Sequence, residues 1–174
     1  LQCETDTGID TLPLASESSF GSWQTTIPEE YWSLDSQALV KRISDARQEL
    51  GSELIVLGHH YQREDIIQFA DERGDSFALA EYAARNDKAK YILFCGVHFM
   101  AEAADILSTD SQHVILPNLE AGCSMADMAR EADVKNAWSE LEAFYGSTND
   151  IIPVTYMNSA ASLKAFCGEH GGVV

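Results

Sequence analysis

The sequence predicts an α/β fold with a mainly parallel sheet, and three observations carry that prediction. Four short apolar runs recur along the chain: "ELIVLG" (53–58), "KYILFCG" (90–96), "HVILP" (113–117) and "DIIPVTYMN" (150–158). Segments with helical spacing of Ala and Leu lie between them. The chemically interesting polar residues cluster just after the run ends, as in "GHHYQ", "CGVH", "PNLEAGC" and "TYMN". Open parallel sheets bind ligands beyond the carboxyl ends of their strands, so that placement is itself a sign of the fold.

Each run is short, rich in β-branched or aromatic residues, and closed by a turn signal, as strands buried on both faces are. "DSFALAEYAARND" follows the first run and opens with Asp75 and Ser76, a helix-capping pair. "VHFMAEAADIL" follows the second run. "DVKNAWSELEAFYG" follows the third and ends on Gly146, which suits a helix C-terminus. The chain closes on "CGEHGGVV", which reads as the start of another strand, and it begins without Met, so truncation at one or both ends is expected. The first 26 residues, polar and rich in Ser and Thr, read as a tail. No low-complexity core segment or short-period repeat stands out.

At 174 residues the chain is long enough to bury a substantial core. Eleven basic residues stand against 28 acidic ones, a net charge of −17. That excess excludes a nucleic-acid partner, which would need clustered Lys and Arg. A small anion remains possible, because helix ends and metals make sites locally positive. No apolar segment approaches the roughly 20 residues that span a bilayer. The first 30 residues hold six acidic groups and no Lys or Arg, unlike a signal or transit peptide, so the expected setting is the cytoplasm. The four cysteines (Cys3, Cys95, Cys123, Cys167) are scattered, and disulfides are not expected in such a setting.

If the strands are parallel, His59, His60, Tyr61, Cys123, Tyr156 and Asn158 share one rim. Cys123 follows Gly122 and precedes an expected helix, where partial positive charge would favour thiolate. It reads as a nucleophile, a metal ligand or a small buried residue, and pattern alone leaves all three open. A thiol phosphatase would place an arginine about six residues after its cysteine, and Arg130 lies one position too far in the wrong loop composition. A cysteine hydrolase would need a histidine and an orienting carboxamide, parts that His59 and Asn158 could fill only by choice. Cys95 with His98 and Cys167 with His170 form C-x-x-H pairs, but they lie far apart and read better as buried thiols beside loop histidines. Cys3 carries no functional weight. The tandem His59–His60 concentrates proton-transfer groups, while Gly74-Asp75-Ser76 reads equally as a helix cap and as an anion donor.

Taken together, "GHHYQREDI", "RGDSFALA", "CGVHFMAEAADIL", "LPNLEAGCSMADM" and "PVTYMNSAA" resemble the quinolinate synthases, iron–sulfur enzymes of NAD biosynthesis. The match runs in family order from about Ile27 to the end of the chain, and the family is about twice this length. The resemblance implies three similar three-layer αβα domains around a pseudo-threefold axis. On that plan residues 27–124 form the first domain and 125–174 begin the second. It implies a 4Fe–4S cluster with Cys123 as the first of three cysteine ligands. It also implies condensation of iminoaspartate with dihydroxyacetone phosphate, with loss of phosphate and two waters as quinolinate closes.

By the same resemblance His59 and Ser76 bind the substrate carboxylates, and Tyr61, with His59 beside it, does the acid–base work. Tyr156, Met157 and Asn158 complete the pocket. The source of iminoaspartate would be an oxidase or dehydrogenase partner. His60, Cys95, His98, Cys167 and His170 match no functional position. The second and third cluster cysteines, a His-Pro-Glu segment and a serine-rich turn belong to later segments of the family, so this chain by itself is expected to be inactive. The rival reading is a non-catalytic phosphate- or carboxylate-binding α/β module, and a thiol hydrolase is a third.

Overall fold

The computed structural model describes residues 27–174, so the expected tail at 1–26, Cys3 included, lies outside the described residues. The order of elements is α1 (Glu29–Trp32), α2 (Ser36–Leu50), β1 (Leu54–His59), α3 (Glu64–Ile67), β2 (Glu72–Gly74), α4 (Ser76–Arg85), β3 (Tyr91–Cys95), α5 (His98–Leu107), β4 (His113–Ile115), α6 (Glu131–Tyr145) and α7 (Ala161–Glu169). The four strands form one sheet in the order β2-β1-β3-β4, every pair parallel. Parallel strands need crossovers, and the helices supply them.

Alternation along the strands explains the layers. Ile55 and Leu57 of β1 and Ile92 and Phe94 of β3 point to one face, where Leu79, Ala80 and Ala83 of α4 and Met100, Ala103 and Ala104 of α5 complete the core. The small alanines let those two helices lie close to the sheet. Val56, Leu93 and Cys95 point to the other face, where they share an apolar groove with Ile43, Ala46 and Leu50 of α2. Helices on both faces of a parallel sheet make a three-layer αβα arrangement. This is the expected fold class, and apolar residues on both faces are why the strand runs read as continuously apolar.

Local chemistry fixes the helix ends. Asp35 accepts the Ala38 N–H at 2.8 Å and Asp75 accepts the Ala78 N–H at 2.9 Å, so α2 and α4 each carry a side-chain cap. Gly146 ends α6 in the left-handed region (φ 76°), a conformation that costs other residues more than glycine.

Two expectations need correction. The run 150–158 is not a strand: Val154 makes only an isolated parallel bridge to Val173 and is 71% exposed. At the terminal "GGVV" Gly171 turns in the left-handed region (φ 69°) and only Val173 makes a bridge. An apolar run becomes a strand only where a neighbour pairs with it, and among the described residues Val173 alone does so here. The second correction concerns the helix expected just after Cys123. A three-residue 3-10 turn (Ala126–Met128) follows instead, and α6 begins only at Glu131. Beyond that turn, Trp138 of α6 packs its ring against Phe166 and His170 of α7, with centroids 5.5 and 4.7 Å away.

Candidate functional site

A cavity of about 440 Å³ opens at the carboxyl ends of β1 and β3, where the topology of an open sheet places ligand sites. His59, Tyr61, Ser76, Cys123, Tyr156, Met157 and Asn158 all line it, although they come from four separate segments. His60, which the resemblance leaves without a role, lines it too. So does Asp75, read from the sequence as a cap, and so do Phe77, Val97, Phe99 and Met100, which sequence reasoning did not single out. The apolar start of α5, "VHFM", was the signal for the last three: residues opening a helix at a strand end face the ligand crevice.

His59 is the last residue of β1 and is only 5% exposed. Its ring lies 4.1 Å from that of His60 and 4.0 Å from that of Tyr61, centroid to centroid. Burial, reinforced by the neighbouring His60 and opposed by Asp75, pushes the His59 pKa down to about 4. The ring is therefore neutral at pH 7. Its Nδ1 accepts the Tyr61 N–H at 3.5 Å, which places the remaining proton on Nε2 as a neutral donor. The Tyr61 phenol is pushed above its ordinary pKa, first by burial and then by Cys123. It keeps its proton at neutral pH and can give it up only to a strong base.

Ser76 begins α4 immediately after the Asp75 cap, and its Oγ donates to Asn158 Oδ1 at 3.0 Å. That bond joins residues 82 positions apart and ties the irregular 155–160 segment to the sheet half. Asn158 Nδ2 reaches the Tyr156 hydroxyl at 3.5 Å, while Met157 packs against the core. The predicted cap and the predicted ligand role for Ser76 prove compatible, because Asp75 does the capping and leaves Ser76 Oγ to the cavity.

Cys123 sits in the loop after β4, half-buried against the core. The loop is held from both sides. The His98 N–H donates to Ala121 O at 2.7 Å, the Cys123 N–H donates to Asp127 Oδ2 at 3.0 Å, and the Asp127 N–H returns to Cys123 O at 2.8 Å. A Cβ on Gly122 would stand 2.6 Å from Asp127 Oδ2, so glycine is required for that carboxylate to come so close. The expected help from a long helix at Cys123 is not present: the turn is too short to carry a macrodipole, and its nearest charge is the Asp127 carboxylate.

The two C-x-x-H pairs do not form metal sites. His98 faces Glu102 at 3.5 Å, and His170 stacks on Phe166 at 4.2 Å while its Nδ1 meets Phe166 O at 2.8 Å. Cys95 lines the apolar groove, where burial raises its pKa, and Cys167 lines a separate cavity beside Trp138. Among the described residues no group of three or more His, Cys, Asp or Glu could hold a metal ion alone. Nor is any described helix long and apolar enough to cross a membrane.

Set against known proteins, residues 41–174 match the family described as "NadA: Quinolinate synthetase A protein". A quinolinate synthase of Bacillus cereus is 52% identical over 149 residues, which are 86% of this chain and 40% of that protein. Quinolinate synthases of Bacillus thuringiensis and Bacillus anthracis are 51% identical over the same shares. The chain thus spans about 40% of the length of the curated relatives it matches.

Proposed function

Because this chain belongs to the quinolinate synthase family, we propose that its cavity is part of an active site condensing iminoaspartate with dihydroxyacetone phosphate in NAD biosynthesis. The observation that supports this reading most is the convergence of His59, Tyr61, Ser76, Cys123 and Asn158 on one cavity at the sheet's carboxyl edge. The balance of the reaction is simple: two bonds join the substrates, and one phosphate and two waters leave as the pyridine ring closes.

The side chains divide the work by their protonation. Neutral His59 offers Nε2–H to a carboxylate oxygen, and the Ser76 hydroxyl at the start of α4 becomes a second donor when a bound carboxylate takes the place of Asn158 Oδ1. Asn158 orients Ser76 and brings its own amide to the same place. Tyr61, protonated and half-exposed at the mouth, is suited to give a proton to a departing hydroxyl and take one back as the ring forms. Buried Phe99 and Met100 make the floor dry, which strengthens each of these bonds.

None of the described residues lining the cavity is Lys or Arg. A dicarboxylate and a phosphate call for more positive charge than these neutral donors supply, so this wall calls for a further electrophilic group. An iron–sulfur cluster fits that need and the donor set: a lone, half-buried thiol on the cavity wall suits one corner of a shared cluster, with Cys123 as its ligand here. When bound, such a cluster supplies Lewis acidity that promotes dehydration.

The test is iron and acid-labile sulfide after anaerobic reconstitution of this chain and of a family-length protein that contains it, with and without Cys123→Ser. We expect four irons and four sulfides on the longer protein, loss of the cluster's visible absorbance in the variant, and no quinolinate from the 174-residue chain alone. A variant that keeps its cluster would remove Cys123 from the ligand set. A longer protein that binds a dicarboxylate but holds no iron would favour the binding module.

A further inference from the structure

Helix α7 starts without a cap of its own. Its N-cap residue is Ala160, which has no side chain to accept a hydrogen bond, although Ser, Thr, Asp and Asn are the residues that usually satisfy the free N–H groups there. The acceptor comes from another element. Glu102, on α5, takes the Ala161 N–H on its Oε2 at 2.8 Å across 59 positions of sequence. A carboxylate at that end is also favoured by the helix dipole.

A second contact holds the chain on the other side of the same residue. Lys164 Nζ donates to Ser159 O at 2.6 Å. Burial lowers the Lys164 pKa while Glu102 pulls it back up, so the carboxylate helps keep that amine charged. Ser159 is buried, and its Oγ receives the Thr155 hydroxyl at 3.2 Å. The two clamps lie one and three positions beyond Asn158, the residue whose side chain meets Ser76 in the cavity. Glu102 also faces His98, whose own N–H donates to Ala121 O in the loop that leads to Cys123.

We propose that Glu102 is a positioning residue: by capping α7 from α5, next to the Lys164–Ser159 contact, it sets the Tyr156–Asn158 segment over the cavity. The proposal rests on reading that cavity as a substrate site, but its structural part can be measured separately. Glu102 touches nothing that reacts. Its effect is to remove freedom from an irregular segment that has no sheet partner except at Val154.

The test uses the whole 174-residue chain, isotopically labelled, with Glu102→Ala, Glu102→Gln and Lys164→Met. Glutamine keeps an acceptor for the Ala161 N–H and loses the charge. We expect Glu102→Ala to speed amide exchange at Ala161 about tenfold or more, the loss of one hydrogen bond. The Asn158 side-chain amide signals should shift in the same variant, and Glu102→Gln should largely restore both. Lys164→Met should shift the Asn158 signals while leaving Ala161 exchange nearly unchanged. Succinate, the simplest stable four-carbon dicarboxylate, should bind about five- to tenfold more weakly to Glu102→Ala. Ala104→Gly, which loosens α5 without touching the clamp, should leave the Asn158 signals in place; a shift there would reduce Glu102 to a general stabiliser. Unchanged Ala161 exchange and unmoved Asn158 signals in Glu102→Ala would overturn the proposal. Failure of the unsubstituted chain to bind succinate would count against the substrate site alone, since exchange and shifts still report on the clamp.

Discussion

The sheet region, residues 54–116, and the stretch from Ala126 onward are built on opposite principles. The first buries what it carries: α5 alone hides Phe99, Met100, Ala101, Ala103 and Ala104, and Phe94 is wholly enclosed. The second buries little beyond Leu163, Phe166 and Cys167 of α7, and its longer helix leaves large apolar groups in the open. No residue of α6 is buried, and Phe144 is 80% exposed. Yet the cavity takes side chains from both. The difference teaches that the site's wall of His59, Tyr61 and Ser76 is part of a rigid layer, while its Tyr156–Asn158 wall is held by a few named hydrogen bonds.

The largest contrast to test is in the cores. Phe94→Ala should cost about 3–5 kcal/mol in urea unfolding, the usual range for a large buried aromatic. Phe144→Ala should stay within about 0.5 kcal/mol. Equal costs would erase the distinction between the two regions.

Next comes acid sensitivity, which should belong to the sheet region. The unfolded chain protonates His59 near pH 6.5, whereas the folded chain resists down to about 4. Between those values the unfolded state holds more protons, so stability falls as pH falls through that window and is level above it. The full effect is about 3 kcal/mol at most. His59→Gln should flatten this part of the pH profile of the urea midpoint, and an unaltered slope would assign the acid loss to other groups.

The smallest effect links the regions. A double-mutant cycle with Ser76→Ala and Asn158→Ala should give a coupling of about 1 kcal/mol. Zero coupling would mean that the bond between them is not maintained in solution and that the second wall floats.

Much of the fold could be read from the sequence because burial on both faces leaves an unmistakable apolar run, as in β1 and β3. β2 escaped notice for the opposite reason. It is a three-residue edge strand, "ERG", whose two charged side chains are exposed, and it is a strand only because Leu57 and Gly58 of β1 offer it a ladder. The run at 150–158 misled for a related cause: apolar content announces a need for burial without saying whether a partner strand is there. At the site, the strand-end rule placed His59, Tyr61 and Cys123 correctly on the rim. The contact between Ser76 and Asn158 had no local signature, since hydrogen bonding across such a separation follows from tertiary packing alone. Glu102 was invisible for the same reason, standing in a helix pattern like any exposed acid.

The bond between Ser76 and Asn158 also has a meaning in time. A ribosome adds about 5–20 residues per second, so the 82 residues between the two partners take about 4 to 16 s to make. Every strand of the sheet is synthesised before Asn158 appears, and so is Cys123. During that interval the sheet layer can fold around its core while one wall of the cavity does not yet exist, and the thiol waits beside an open cleft. Assembly of the site is therefore ordered by the direction of translation: first a finished scaffold, then closure.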